Sequence, residues 1–191
     1  MAFVPIGTTD GSDYHGKLRE VYIPAGIGSD VFLGDMMTLA ATGAPANGRG
    51  EPLAFPTNEA TQQNVIGAVV EFVPDFTDEG SLTRNFHQNG TAQFARVPFG
   101  NKVIYEAPAR DAIPIADIGS NRTVQTTDVS GDTVTGISGH GIGPTATVAT
   151  DPLRILGASY TENDDATAVT AVGAIWRCRI INGADRDGAS I

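Results

Sequence analysis

The chain has 191 residues, 41 % of them hydrophobic and 18 % charged, with 23 glycines and 11 prolines. That length supports one domain whose core needs no metal or disulfide staple, and the single cysteine, Cys178, excludes an internal disulfide framework. Twenty-two acidic residues against twelve basic ones give a net charge of −10, which disfavours nucleic acid as a partner, and no apolar run reaches the roughly 18 residues of a membrane span.

Residues 1–19 are polar and broken by Pro5, Gly7, Gly11 and Gly16, so they read as an N-terminal arm without a core of its own. Such an arm either frays or orders against a neighbouring subunit. Residues 20–191 read as a single β domain. Glu20 to Ala40, EVYIPAGIGSDVFLGDMMTLA, is three strand-sized apolar runs separated by a Gly-rich bend and by Gly34-Asp35. Residues 41–50 are a loop by composition, and a short run, Pro52 to Phe55, follows. Asn64 to Val73, NVIGAVVEFV, is apolar on both alternating faces, which predicts a central strand covered on both sides. Gly67 inside it predicts a bulge or a close backbone approach.

Residues 75–90 read as an exposed excursion. Phe94 to Phe99 and Lys102 to Glu106 are predicted strands around Phe99-Gly100-Asn101, with Pro98 at an edge or an end. Ile113 to Ile118 is a short strand interrupted by Pro114. Residues 119–150, rich in Thr and Gly, are a loop or a small β annex, with weak strands at Thr133 to Ile137 and Thr145 to Ala149. Leu153 to Tyr160 and Ala174 to Ile181 are strong strands around the acidic loop TENDDAT. No stretch sustains a 3.6-residue period, so the fold class is all-β, a compact β-barrel or β-sandwich with long loops.

The chemical motifs come out negative. GISGHG, from Gly136, puts His140 where the last glycine of a G-x-S-x-G nucleophile elbow belongs, so Ser138 sits in a Gly-rich loop. His15, His87 and His140 occupy three separate segments without metal-ligand spacing and read as surface histidines. DGSD (Asp10 to Asp13), DVSGD (Asp128 to Asp132) and ENDD (Glu162 to Asp165) are solvated acidic turns that lack a full calcium loop. GHGIG does not complete a dinucleotide fingerprint. Glu71, Asp75 and Glu106 offer carboxylates for a glycosidase pair, with no separation fixed by sequence. The sequons at Asn89 and Asn121 carry little weight without a secretory leader, which MAFVPIGTTDG does not resemble. In IWRCRII, alternation places Trp176, Cys178 and Ile180 on a buried face and Arg177 with Arg179 on the other, towards solvent or a partner's carboxylates. The expectation is no enzyme: no catalytic residue, no cofactor and no metal.

Three segments resemble a family of tailed-phage head proteins, the capsid cement or decoration proteins. IPAGIGSDVFLGDMMTL is similar to their opening strand pair through Gly26, Asp30, Phe32, Gly34, Asp35 and Leu39. VIGAVVEFVPDF matches their Gly-containing middle strand, and TGISGHGIGPTATVATDPLRILGASY through IWRCRIIN matches their closing pair. The segments cover about half the chain in the same order. Two departures stand out: Glu106-Ala107-Pro108 where relatives carry an acidic pair before the proline, and the Trp-Arg-Cys-Arg of the last strand. The resemblance implies a virion protein on the outer capsid surface, made in the host bacterial cytoplasm. Its implied partners are the major capsid protein and itself, as a homotrimer that bridges capsomers, with no nucleic acid and no membrane. The alternative is a β-sandwich glycan-binding module of a head fibre or tail, for which Tyr14, Phe86 and Tyr105 are the candidate aromatics.

Overall fold

The computed structural model describes residues 1–57, 62, 64–98, 102–126, 130–145, 151–159 and 169–181. Its strands are β1 (Val4–Thr8), β2 (Leu18–Ile23), β3 (Val31–Phe32), β4 (Met36–Leu39), β5 (Glu51–Ala54), β6 (Val65–Ala68), β7 (Glu71–Phe72), β8 (Phe86–His87), β9 (Gln93–Pro98), β10 (Val103–Pro108), β11 (Asn121–Gln125), β12 (Gly141–Thr145), β13 (Leu153–Ala158) and β14 (Ile175–Ile180). The fold is all-β and sandwich-like rather than a closed barrel. Among the described residues no helix is long and apolar enough to cross a membrane.

One six-stranded sheet runs β1-β10-β14-β13-β11-β12, and a second runs β6-β4-β5-β2-β9-β7, with β3 and β8 paired apart. Strict alternation builds the first. In β14 the side chains of Trp176, Cys178 and Ile180 are buried and those between them are half-buried, and β10 repeats the pattern with Val103, Tyr105 and Ala107. Antiparallel pairing sets Tyr105 beside Cys178 and Cys178 beside Ile155, so large inward side chains line up across three strands.

The described residues form two cores. Trp176, Tyr105, Cys178, Leu153, Ile155, Ile142 and Phe3 belong to one; Val21, Ile23, Leu53, Ala95 and Val97 belong to the other. β4 and β6 form the wall between them. Met36, Val65 and Ala68 enter the first core, while Met37, Ile66 and Val69 enter the second. This is the physical reason for the doubly apolar run at Asn64 to Val73. Its expected central place needs correcting, because β6 lies at one edge of its sheet and β7 at the other, with only Val69 and Val70 between them. The sheet therefore curls until one continuous stretch serves both of its margins. Gly67 fulfils both of its predicted roles: the β4–β6 register shifts beside it, and a Cβ there would stand 3.1 Å from Tyr105 Oη and 3.2 Å from the Pro98 carbonyl oxygen.

The expected coreless arm is replaced at its start by β1, which pairs with β10 across a bulge between Pro5 and Gly7. Phe3 is 1 % exposed and meets Tyr105 edge-on at 6.4 Å. Pro5 and the bulge disguise the alternation that would have marked a strand. Residues 119–150 likewise give β11 and β12 to the main sheet, with Val124 and Ile142 in the core, and residues 130–140 fold as turns rather than as the expected strand at Thr133. Ile113 is buried outside any strand, and the expected strand continues as a 3-10 turn, Ile115–Asp117, behind Pro114. Phe99-Gly100-Asn101, TENDDAT and residues 146–149 lie outside the described residues.

Candidate functional site

The corner between β3 and β4 carries the most concentrated polar chemistry among the described residues. Gly34 turns it with φ +89°, where a Cβ would collide with the Ala2 Cβ at 2.3 Å, so only glycine fits. The turn drives Asp35 inward to 2 % exposure. Its Oδ2 accepts the Phe32 backbone N–H at 2.8 Å, and its Oδ1 accepts the Ser138 hydroxyl. Ser138 Oγ in turn accepts the His140 backbone N–H at 2.8 Å. The His140 ring closes the group: Nδ1 accepts the Met36 backbone N–H at 3.2 Å, and Nε2 stands 3.5 Å from Asp35 Oδ1. Backbone bonds Leu33–Gly136 and Ser138–Leu33, each 2.9 Å, bind the same two loops together. A cavity of about 720 Å³ opens beside the group, with Asp30, Phe32, Asp35, Phe55, Thr126 and His140 among its lining residues.

This trio is not a hydrolytic triad. A serine nucleophile must give its proton to a histidine nitrogen that is free to accept it. Ser138 gives its hydrogen to Asp35, and His140 Nδ1 is already occupied by the Met36 amide, which leaves the hydrogen of the neutral ring on Nε2. Burial pushes Asp35 above the usual carboxylate range, against the opposing pull of His140 and Ser138. Burial also pushes His140 below the usual histidine range. Both shifts suit a structural clamp that holds residues 130–140 against the β3–β4 corner.

The other sequence candidates remain apart. His15 is exposed; His87 and His140 are buried, against the expectation of surface histidines, and His87 Nδ1 pairs with Gln93 Oε1 at 3.2 Å. No group of three or more potential ligands gathers among the described residues. Glu71 and Glu106 stand in different sheets, held by Arg96 at 2.9 Å and Arg177 at 3.1 Å. Asp75 is occupied by Thr77, Asp10 by Thr8 and Ser12, and Asp132 by Val134 and Thr135, all ordinary turn bonds. Asp128 and Glu162 to Asp165 lie outside the described residues. Cys178 is buried, and burial pushes its thiol up, away from reactivity. Asn89 sits in a loop, while Asn121 lies within β11.

Of the three aromatics named for glycan binding, Tyr105 is a core residue, 1 % exposed, and Tyr14 and Phe86 are half-buried. A different aromatic cleft, of about 550 Å³, is lined by Tyr22, Phe94 and Phe76 with Arg49 and Asn47. Tyr22 and Phe94 lie 5.4 Å apart, the Arg49 guanidinium stands 5.0 Å over Phe94, and Phe76 is 84 % exposed. Sequence reading missed it because its walls come from β2, β9 and two distant loops; the exposed Phe76 after Pro74 was the available signal. Searches of protein-family models, curated proteins and solved structures find no match to this chain.

Proposed function

We propose that the protein is a non-enzymatic virion protein, a capsid cement or decoration protein that binds the outer surface of the coat lattice and bridges neighbouring capsomers. The observation that carries this reading is the ordered set of three segments that resemble those of cement proteins. Each falls where a rigid scaffold needs it: Gly34-Asp35 at the clamped corner, Val65 to Phe72 in the wall between the cores, and β13 with β14 at the centre of the main sheet. Support for a chain without catalysis comes from Ser138, His140 and Asp35, whose hydrogen bonds serve each other. Association with another protein surface has support in an apolar recess of about 560 Å³, whose lining includes Met1, Val4, Leu33, Val70 and Ile137; a homotrimer is what the resemblance implies. A protein of this kind raises the cost of separating coat subunits in a filled head by making several modest contacts at once, which multiply through effective concentration. The test mixes purified protein with expanded heads that lack it. Stoichiometric density on the outer surface in cryo-electron microscopy is the expected result, and bare heads overturn the proposal.

A glycan-binding module is the second reading, favoured by the cleft at Tyr22, Phe94 and Phe76, since sugar rings stack on exposed aromatic faces. A glycan array gives saturable binding lost in Phe76→Ala if this reading holds, and none if it does not.

A further inference from the structure

The six strands of the main sheet reverse the charge balance of the chain. Their sequences hold four arginines, Arg122, Arg154, Arg177 and Arg179, and one carboxylate residue, Glu106, in a protein of net charge −10. Arg122 points into the core and is paired with Asp117 at 2.6 Å. The other three belong to the outward set, because Leu153, Ile155, Trp176, Cys178 and Ile180 fill the inward positions of the same strands.

Register places Arg154 directly opposite Arg179, which in turn faces Ile104. Like charges directly opposite on adjacent strands repel. Arg177 has Glu106, whose Oε1 also accepts the Ser159 hydroxyl at 2.6 Å. Among the described residues Arg154 and Arg179 have no such partner, and Arg179 Nε is buried without a hydrogen bond. The second sheet is arranged differently: Arg19 and Arg96 in its strands, and Arg49 in the loop before β5, each meet a carboxylate, Glu51, Glu71 and Glu20. Among the described residues, then, two adjacent arginines of the main sheet stand without the carboxylates that Arg19, Arg49 and Arg96 have. Around them Val4 and Leu156 are 43 % and 37 % exposed, and Ile104 is half-buried.

From this geometry we infer that the outward face of β10, β13 and β14 is a docking surface for a protein segment that presents carboxylates beside apolar side chains. Two arginines at directly opposite positions carry planar donor forks matched to carboxylates, and Val4, Ile104 and Leu156 supply the apolar rim. A nucleic-acid backbone fits poorly, since it needs a longer track of positive charge and would meet the field of an acidic protein around this small patch. The inference does not depend on the capsid reading, because it asks only for a partner's carboxylates.

The test uses the full chain and a fluorescein-labelled peptide of repeated Glu-Glu-Leu, followed by anisotropy. Saturable binding is expected at low salt, weakening as NaCl rises from about 50 mM to about 300 mM. Arg154→Gln with Arg179→Gln is expected to lower the affinity about tenfold. Each single substitution is also expected to raise the thermal midpoint of the free protein, since it relieves a repulsion; a merely structural arginine would lower the midpoint on removal. Absence of saturable peptide binding overturns the inference, as does equal binding by the double variant. Two further outcomes reassign the face and overturn it too: tighter arginine-dependent binding of duplex DNA, or self-association in light scattering that the double variant abolishes.

Discussion

At Asp35, an amide, a hydroxyl and an imidazole converge on a carboxylate that burial alone would drive towards its neutral form. Ser138→Ala strands two of the groups it serves, Asp35 Oδ1 and the His140 amide, and is expected to cost about 1–3 kcal/mol in urea denaturation. An unchanged midpoint would mean that water reaches the corner. The two buried histidines, His140 in the clamp and His87 beside Gln93, give the fold a pH signature. Burial holds His87 and His140 below the usual range, so the unfolded chain takes up protons near pH 6.5 while the folded chain resists. Their contribution is complete above that pH and is lost as pH falls through it towards the folded values. Asp35 acts in the opposite sense, because its raised pKa makes its ionisation cost stability as pH climbs above about 3.8. The urea midpoint is expected to fall between pH 7.5 and pH 5.5, and less steeply in His87→Gln; a flat or rising midpoint would contradict buried neutral histidines. Little of this was legible in the sequence. Gly34-Asp35 reads as a turn, which it is, but pairing across about 100 residues with Ser138 leaves no local trace.

β14 and β10 were readable because strict alternation survives in both, down to the burial of Trp176 and Cys178 and the half-exposure of Arg177 and Arg179. β1 was not, because Pro5 and the bulge before Gly7 break the period that reveals a strand. The distinction has a measurable consequence. Phe3→Ala and Trp176→Ala are each expected to cost about 3–5 kcal/mol, the range for removing a buried aromatic. Trp176 also loses the bond from Nε1 to the Val169 carbonyl, 2.9 Å long. A near-zero loss for Phe3→Ala would restore the picture of a detachable N-terminal arm. β11 hides its key residue differently: Arg122 looks like surface charge, yet its side chain is 1 % exposed and bridges Asp117, Gly143 and Ala112. Composition marks an arginine as exposed by default, and only the packed structure reveals the exception.

For the whole molecule, the all-β class follows from turn spacing and period, whereas the division of the described core residues into two clusters does not. A cement protein of the proposed type is expected to form trimers, giving a native mass about three times the 19.8 kDa of the chain, or to trimerise only on the head. Monomers in solution that also fail to bind heads would remove that reading. The wall made by β4 and β6 has one more implication. A strand with a polar and an apolar face finds its register by hiding the apolar one; a strand apolar on both faces has no such guide. Sliding it by one residue would exchange Met36 for Met37 and Val65 for Ile66 between the cores at little hydrophobic cost. Two features oppose the slip: the missing side chain of Gly67, where a Cβ would crowd Tyr105 and Pro98, and the buried carboxyl group of Asp35, which must find Ser138. Alignment at the centre of this protein is therefore set by one absent side chain and one buried carboxyl group, and misaligned chains that keep both cores greasy are the competing states its folding has to avoid.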